Sequence, residues 1–212
     1  MEITRRTDYG RGGLSEADCE TNPIQQFQKW FEDAQTSDLK EPNAMFLATA
    51  TEQGKPSGRV VLLREVNAIG FVFYTNYSSR KGHELETNPN CALSFHWAEL
   101  ERQVRIEGRA ERVSHEKSEA YFRERPKRSR LGTLVSPQGQ VLPSRAALEI
   151  RLAELETQYE NTNEVPLPDY WGGYLVRPET IEFWQGRRNR LHDRLLYRKN
   201  DGDTWVIERL AP

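Results

Sequence analysis

From residue 44 onward the chain carries short β-prone runs, most of them joined by connections too short for a crossover helix. The runs are 45–51, 59–64, 70–75, 91–97 and 103–113. Parallel neighbours need a connection of about a dozen residues or more, usually helical. These runs therefore predict an antiparallel meander closing into a barrel or sandwich. Three more runs, 171–177, 180–185 and 191–198, extend it, and 205–210 is a candidate last strand. Helices are expected over 79–88, 114–123 and 144–159, the third amphipathic and lying on the surface. Another opens at Asn22-Pro23, with Asn as cap and Pro in the first turn, and shows an apolar face of Ile24, Phe27, Trp30, Phe31 and Ala34. Residues 1–22 are polar and read as a mobile arm; 23–212 read as one α+β, mainly β domain.

Bulk charge excludes some partners. The formal net charge is −2, so neither nucleic acid nor an acidic membrane is attracted by overall charge. The longest apolar stretch, near 44–50, is far too short to span a bilayer, and no signal-peptide core follows the N-terminus. Cys19 and Cys91 make no disulfide framework, which points to the cytoplasm, and Cys91 reads as a buried strand residue. His83, His96, His115 and His192 lack metal-binding spacing, and His115 reads as a surface residue. Glycine patterns for a P-loop, a Rossmann turn or a nucleophile elbow are missing.

Any bound anion must then be met by a local cluster. Ser78-Ser79-Arg80-Lys81-Gly82 puts two cations in a first helical turn, where they oppose the dipole unless an anion sits there; the alternative is a solvated turn paired with Glu84 and Glu86. Arg59 and Arg64 bracket a strand, and their odd spacing points them to opposite faces if it is regular. Gln103, Arg105 and Glu107 share one face, which a cross-strand ion-pair stripe would explain. Residues 121–130 are half basic; Pro126 ends a helix and Ser129 is a candidate cap for the next, and the stretch is either a basic loop or a phosphate site of Tyr, Arg and Ser. Arg190, His192 and Arg194 would face one side of a strand and repel one another without an anion or carboxylates between them.

Together these segments resemble the pyridoxamine 5'-phosphate oxidase family. The resemblance covers nearly the whole chain. It runs through Arg6-Thr7-Asp8-Tyr9, Phe73-Tyr74-Thr75-Asn76, Ser79-Arg80-Lys81-Gly82, Arg102-Gln103-Val104 and Trp171-Gly172-Gly173-Tyr174. It continues through Ile181-Glu182-Phe183-Trp184-Gln185-Gly186 and Arg190-Leu191-His192-Asp193-Arg194 to Arg209-Leu210-Ala211-Pro212. It implies an FMN-binding split β-barrel with flanking helices, and a homodimer with FMN in the clefts between subunits. By the same resemblance FMN would contact Arg59, Val60, Val61, Leu62, Leu63, Arg64, Tyr74, Thr75, Arg80, Lys81, Gln103, Gln138, Gly139, Trp184 and Arg194. Substrate phosphate maps to Arg64, Tyr121, Arg125 and Ser129. The pyridine ring maps to Arg190, Leu191 and His192, and Arg6 and Tyr9 map to a segment folding over the site.

Three positions depart from the family pattern: Arg64 stands where Lys is usual, Gly139 where Ser is usual, and Arg130 where Gln is usual. The implied reaction oxidises pyridoxamine 5'-phosphate or pyridoxine 5'-phosphate to pyridoxal 5'-phosphate. Hydride passes from C4' to flavin N5, O2 is the acceptor and hydrogen peroxide is released. The rivals are a flavin oxidase of the phenazine-biosynthesis type and a non-catalytic module for flavin, haem or pyridoxal phosphate.

Overall fold

The computed structural model of the protein describes residues 8–212. Nine antiparallel strands form one curled sheet in the order β2-β1-β5-β6-β7-β4-β3, with β8 pairing β7 and β9 pairing β8. They are β1 (Ala44–Ala50), β2 (Pro56–Leu62), β3 (Glu65–Asn67), β4 (Gly70–Asn76) and β5 (Asn90–Trp97). The others are β6 (Arg102–Arg112), β7 (Trp171–Gln185), β8 (Asp193–Lys199) and β9 (Trp205–Arg209). Five helices flank them: α1 (Pro23–Gln35), α2 (Arg80–Thr87), α3 (His115–Glu124), α4 (Lys127–Val135) and α5 (Arg145–Gln158). The architecture is the expected mainly-β split barrel. Among the described residues, no helix is long and apolar enough to cross a membrane.

Local chemistry explains the helix starts. Asn22, Ser79, Ser114 and Ser144 each accept a backbone N–H of the first turn through the side-chain oxygen. Helix α1 fills the hollow of the sheet. Phe27 packs its ring 4.9 Å from Phe71 on β4 and 5.0 Å from Phe95 on β5, and Trp30 lies 5.2 Å from Phe183 on β7. Each such ring removed from water contributes about 1.5–3 kcal/mol. Residues 8–22, read from composition as a mobile arm, carry definite contacts. Leu14 is buried and its N–H donates to Asp193, while Arg209 pairs with Glu16 and donates to the Leu14 carbonyl.

One strand expectation fails. Residues 171–177 and 180–185 are not two strands but the single strand β7. Pro178 and Glu179 suggest a break, yet the interruption is absorbed by a register shift opposite Glu107 and Gly108 on β6. Gly108 is required there, because a Cβ would stand 2.0 Å from the Arg177 carbonyl oxygen. Strand β7 changes neighbours at this bend: residues 171–176 pair with β4 and residues 180–185 pair with β8. The short strand β3 was hidden in a connection, since its three residues are too few to show a period.

Helix α2 is pinned to the sheet by the buried Glu84. One carboxylate oxygen accepts from Thr49 (2.5 Å), Ser57 (2.6 Å) and Arg59 (3.4 Å); the other accepts from Arg80 (2.8 Å). Burial pushes this carboxyl up, but the donors from Ser57, Thr49 and Arg80 outweigh it and hold the group down at about 2. A carboxyl depressed in the folded state stabilises above its unfolded value, and that stability is lost as pH falls through the folded value. We expect stability in urea to fall as pH drops from 4.5 toward 2. Glu84→Gln should cost about 1–3 kcal/mol at pH 7 and flatten that slope. A parent protein whose midpoint is insensitive to pH across this window would contradict the role given to Glu84.

Candidate active site

A cavity of about 490 Å³ opens between β2, β4 and helices α3 and α4. Among the described residues its lining holds four cationic side chains, Arg59, Arg64, Lys81 and Arg125, and no carboxylate. Four like charges in one concave space repel one another unless anions enter. Helix α4 lines one wall through Ser129, Gly132 and Thr133, whose spacing places them on one helical face, and through the Ser136 that caps its C-terminus. The opposite wall is the β2 segment Val60, Val61 and Leu62. Aromatic rings close the side. Tyr121 stacks on Tyr74 at 4.0 Å between centroids, and Trp171 stacks on Tyr74 at 5.5 Å.

Lys81, Arg64 and Arg125 are held in place by neutral groups or rings, and Arg59 by hydroxyls and the Glu84 carboxylate beneath it. Lys81 donates to Gln138 (2.9 Å), Thr75 (3.1 Å) and Ser79 (3.2 Å). Burial, and then the charge of Arg59, push its ammonium down to about 8. Arg59 donates to Thr49, Ser57 and Glu84. Arg125 donates to Thr133 (2.9 Å) and lies 4.8 Å over the Trp171 ring. Burial chiefly disfavours the Arg125 charge; Tyr121 partly offsets it, and Arg64 and then Arg130 add smaller repulsions. Arg64 sits 5.9 Å over the Tyr121 ring. The site is thus cationic, aromatic and short of counter-charge.

Several expectations need correction. Arg59 and Arg64 do not point to opposite faces. Strand β2 ends at Leu62, and Arg64 donates its backbone N–H to Val72 of β4, so the alternation is broken and both side chains line the cavity. Leu63 turns away into the core. Ser129 is not a cap: α4 begins at Lys127 directly after Pro126, and Ser129 is its third residue, facing the cavity. Arg80 is exposed and bound to Glu84, and only Lys81 of that pair enters the cavity; Glu86 pairs instead with Arg112. Gly139 adopts a left-handed φ of 89° beside the cavity residue Gln138.

A second group of expected residues gathers at the far end of β7. Gln103 on β6 and Arg194 on β8 are the cross-strand partners of Trp184. The His192 ring lies 4.7 Å from Trp184, and Tyr9 meets both rings edge-on at 5.5 Å. Arg190, His192 and Arg194 do not share a strand face. Asn189 and Arg190 have left-handed φ values of 56° and 60°, so Arg190 ends a 3-10 turn and β8 starts only at Asp193. Nor are all three cations uncompensated. Glu182 accepts from Arg194 (2.8 and 3.1 Å) and from Arg105 (3.1 Å), which is the ion-pair stripe expected around Gln103 and Glu107. His192 Nδ1 accepts the Arg187 N–H at 3.1 Å; Arg190 and Leu191 are exposed. Arg6 lies outside the described residues. Sequence reasoning missed Thr49, Ser57 and Glu84 beneath Arg59. The only local signal was Glu84 at helical spacing from Arg80.

Comparison with known proteins gives this geometry a lineage. Residues 31–159 match the family model described as pyridoxamine 5'-phosphate oxidase, and residues 171–212 match the pyridoxine 5'-phosphate oxidase C-terminal dimerisation region. A protein of Trichormus variabilis named pyridoxine/pyridoxamine 5'-phosphate oxidase is 55% identical, covering 98% of this chain and 96% of its own. One of the same name from Rubrobacter xylanophilus is 56% identical, covering 98% and 94%. Among solved structures, PhzG of Burkholderia lata, in complex with tetrahydrophenazine-1-carboxylic acid, is 31% identical with a TM-score of 0.87, covering 92% of this chain and 95% of that one. A pyridoxamine 5'-phosphate oxidase-related, FMN-binding protein of Nostoc punctiforme shares the fold at 19% identity and a TM-score of 0.71, covering 90% and 98%. Matched from end to end by relatives of one name, and over most of its length by one family model, the chain belongs to the pyridoxamine 5'-phosphate oxidase family.

Proposed function

We propose that this protein oxidises pyridoxamine 5'-phosphate or pyridoxine 5'-phosphate to pyridoxal 5'-phosphate, with FMN as cofactor, as a cytoplasmic homodimer. The observation that carries the reading is the cavity with four cations and no carboxylate among its described lining residues, in a chain whose near full-length relatives bear that name. Two phosphate groups, one on the cofactor and one on the substrate, would supply the missing negative charge.

The donor set fits such a cofactor. Lys81 and Arg59, with Thr75, Gln138 and Arg80 at the edge, would hold the FMN phosphate, and Val60, Val61 and Leu62 would flank its ring. FMN held there would supply the two-electron chemistry at substrate C4', with O2 as final acceptor and the two protons lost by the substrate completing hydrogen peroxide; for the amine substrate, water would hydrolyse the imine and ammonia would leave. Arg64, Tyr121, Arg125 and Ser129 would grip the substrate phosphate, and this remote binding would orient the reacting carbon. Arg190 and His192 would hold the pyridine ring, with Leu191 between them and Tyr9 covering the site together with Arg6.

The length of β7 and the C-terminal dimerisation-region match support the dimer. Trp171 at its start walls the cavity, while Trp184, thirteen positions on, belongs to the far cluster. That is roughly 40 Å of strand contour, longer than either ligand. A second copy, joined through the C-terminal region, would let Gln103, Trp184, Arg190, His192 and Arg194 serve the cavity of the partner subunit. A phenazine-type oxidase remains the rival because PhzG shares the fold closely. The substrate-phosphate grip of Tyr121, Arg125 and Ser129 favours a phosphorylated pyridine.

Three outcomes test the reading. The purified protein with FMN should be yellow, lose its visible flavin absorbance when pyridoxamine 5'-phosphate is added without air, and regain it with air. An FMN-loaded protein that yields no aldehyde from either substrate would sink the vitamin B6 assignment. A bound phosphate would favour charged Lys81 and raise its value from about 8. FMN binding near pH 8–9 should therefore take up a proton, and affinity should weaken as pH rises; calorimetry in buffers of different ionisation heat should show this uptake lost in Lys81→Met. Arg190→Ala should retain FMN yet slow flavin reduction by on the order of 100-fold. If that variant loses FMN but is reduced normally once reconstituted, Arg190 serves the cofactor instead.

A further inference from the structure

We propose that Arg130, a buried cation that follows the cavity-lining Ser129 without lining the cavity itself, is a specificity-determining residue whose uncompensated charge favours a doubly charged phosphate group on the ligand. The inference rests on the phosphate reading given above. Arg130 is 8% exposed. Its Nη1 donates to the Asn163 carbonyl at 2.8 Å, and its Nε is buried without a hydrogen-bond partner among the described residues. No described carboxylate lies within ion-pairing distance of it, although its neighbours in the same helical turn are served. Arg128 pairs with Glu156 at 3.0 Å, and Lys127 donates to the carbonyls of Tyr159 and Glu160.

A guanidinium taken out of water without a counter-ion is costly, and one carbonyl does not offset that cost. The helix adds to it. Helix α4 starts at Pro126 with no side-chain cap, and Lys127, Arg128 and Arg130 all stand near the positive end of its dipole. The same helix faces the cavity through Ser129, the residue before Arg130, and the Ser129 carbonyl accepts from Arg125 at 3.3 Å. Arg130 and Arg64 both disfavour the charge on Arg125. An anion gripped by Arg64, Arg125 and Ser129 would reverse the sign of all these repulsions. Each extra negative charge on it gains more from a wall carrying three cations than from one carrying two. A phosphate monoester loses its second proton at about pH 6, so the dianion is the species selected at neutral pH.

The test uses FMN-loaded protein, so that inorganic phosphate reports on the substrate end of the cavity. In Arg130→Gln the unfolding temperature without phosphate should be unchanged or higher. Phosphate should bind roughly tenfold more weakly. The gain in affinity between pH 5.5 and pH 8 should shrink, and KM for pyridoxamine 5'-phosphate should rise with kcat nearly constant. Arg130→Lys should restore most of the affinity. Lower thermal stability with phosphate affinity and its pH dependence unchanged would overturn the proposal and make Arg130 a structural residue. If Arg130→Gln does not fold, Arg130→Met is measured in its place. Failure of both in phosphate-free buffer would also overturn it, because the charge would then support folding without a ligand. Phosphate that does not bind the parent protein at all would defeat the phosphate reading of the cavity itself, a result distinct from parent and variant binding alike.

Discussion

Strand β7 is the member on which the rest of the molecule depends. Its fifteen residues are hydrogen-bonded to β6 along nearly the whole length of one edge, and to β4 and then β8 along the other. Every ladder bond on those edges must be satisfied or left to water, so a long central strand dictates where its neighbours lie. The bend at Pro178 and Gly108 curls the sheet, and the curl makes the hollow that α1 fills. One end of the strand then supplies an aromatic wall to a cationic cavity, and the other supplies a Trp-His-Tyr cluster.

Charge is segregated with the same economy. The chain as a whole is close to neutral, yet its carboxylates are spent outside the cavity. Glu182 neutralises Arg105 and Arg194 on the outer face of the sheet, and Glu84 fixes Arg59 and Arg80 from beneath. Within the cavity Lys81, Arg64 and Arg125 lean on hydroxyls, an amide and ring faces, which orient them without cancelling their charge. Lys81 and Arg125 are consequently held charged against opposition, a condition suited to receiving anions.

Much of this was legible in the residue order, and the failures have physical causes. Asn22, Ser79, Ser114 and Ser144 announce their helices because a cap is a local hydrogen bond between residues two or three apart. The buried strands announce themselves by composition. What misled were assumptions of regularity. Arg59 and Arg64 were assigned to opposite faces on the premise of an unbroken strand, but β2 ends between them. Arg190 was placed on a strand because two successive left-handed residues leave no mark in an Asn-Arg sequence. Pro178 argued for two strands when a register shift could accommodate it. The underpinning of Arg59 by Thr49, Ser57 and Glu84 was invisible because it joins three separate elements, a relation that only the closed sheet creates.

The clasp between the chain's two ends also bears on how the molecule is made. Arg209 reaches Glu16 and the Leu14 carbonyl across 193 and 195 positions of sequence, and Asp193 accepts from Leu14 across 179. Contacts so distant in sequence are the last to be rewarded as a chain condenses. On the ribosome, residues 14–16 emerge long before Asp193 and Arg209 and must wait for them before they have these partners. Until then Leu14 remains in water. The segment that reaches toward Trp184 and His192 through Tyr9 should therefore dock late, after the sheet beneath it is complete.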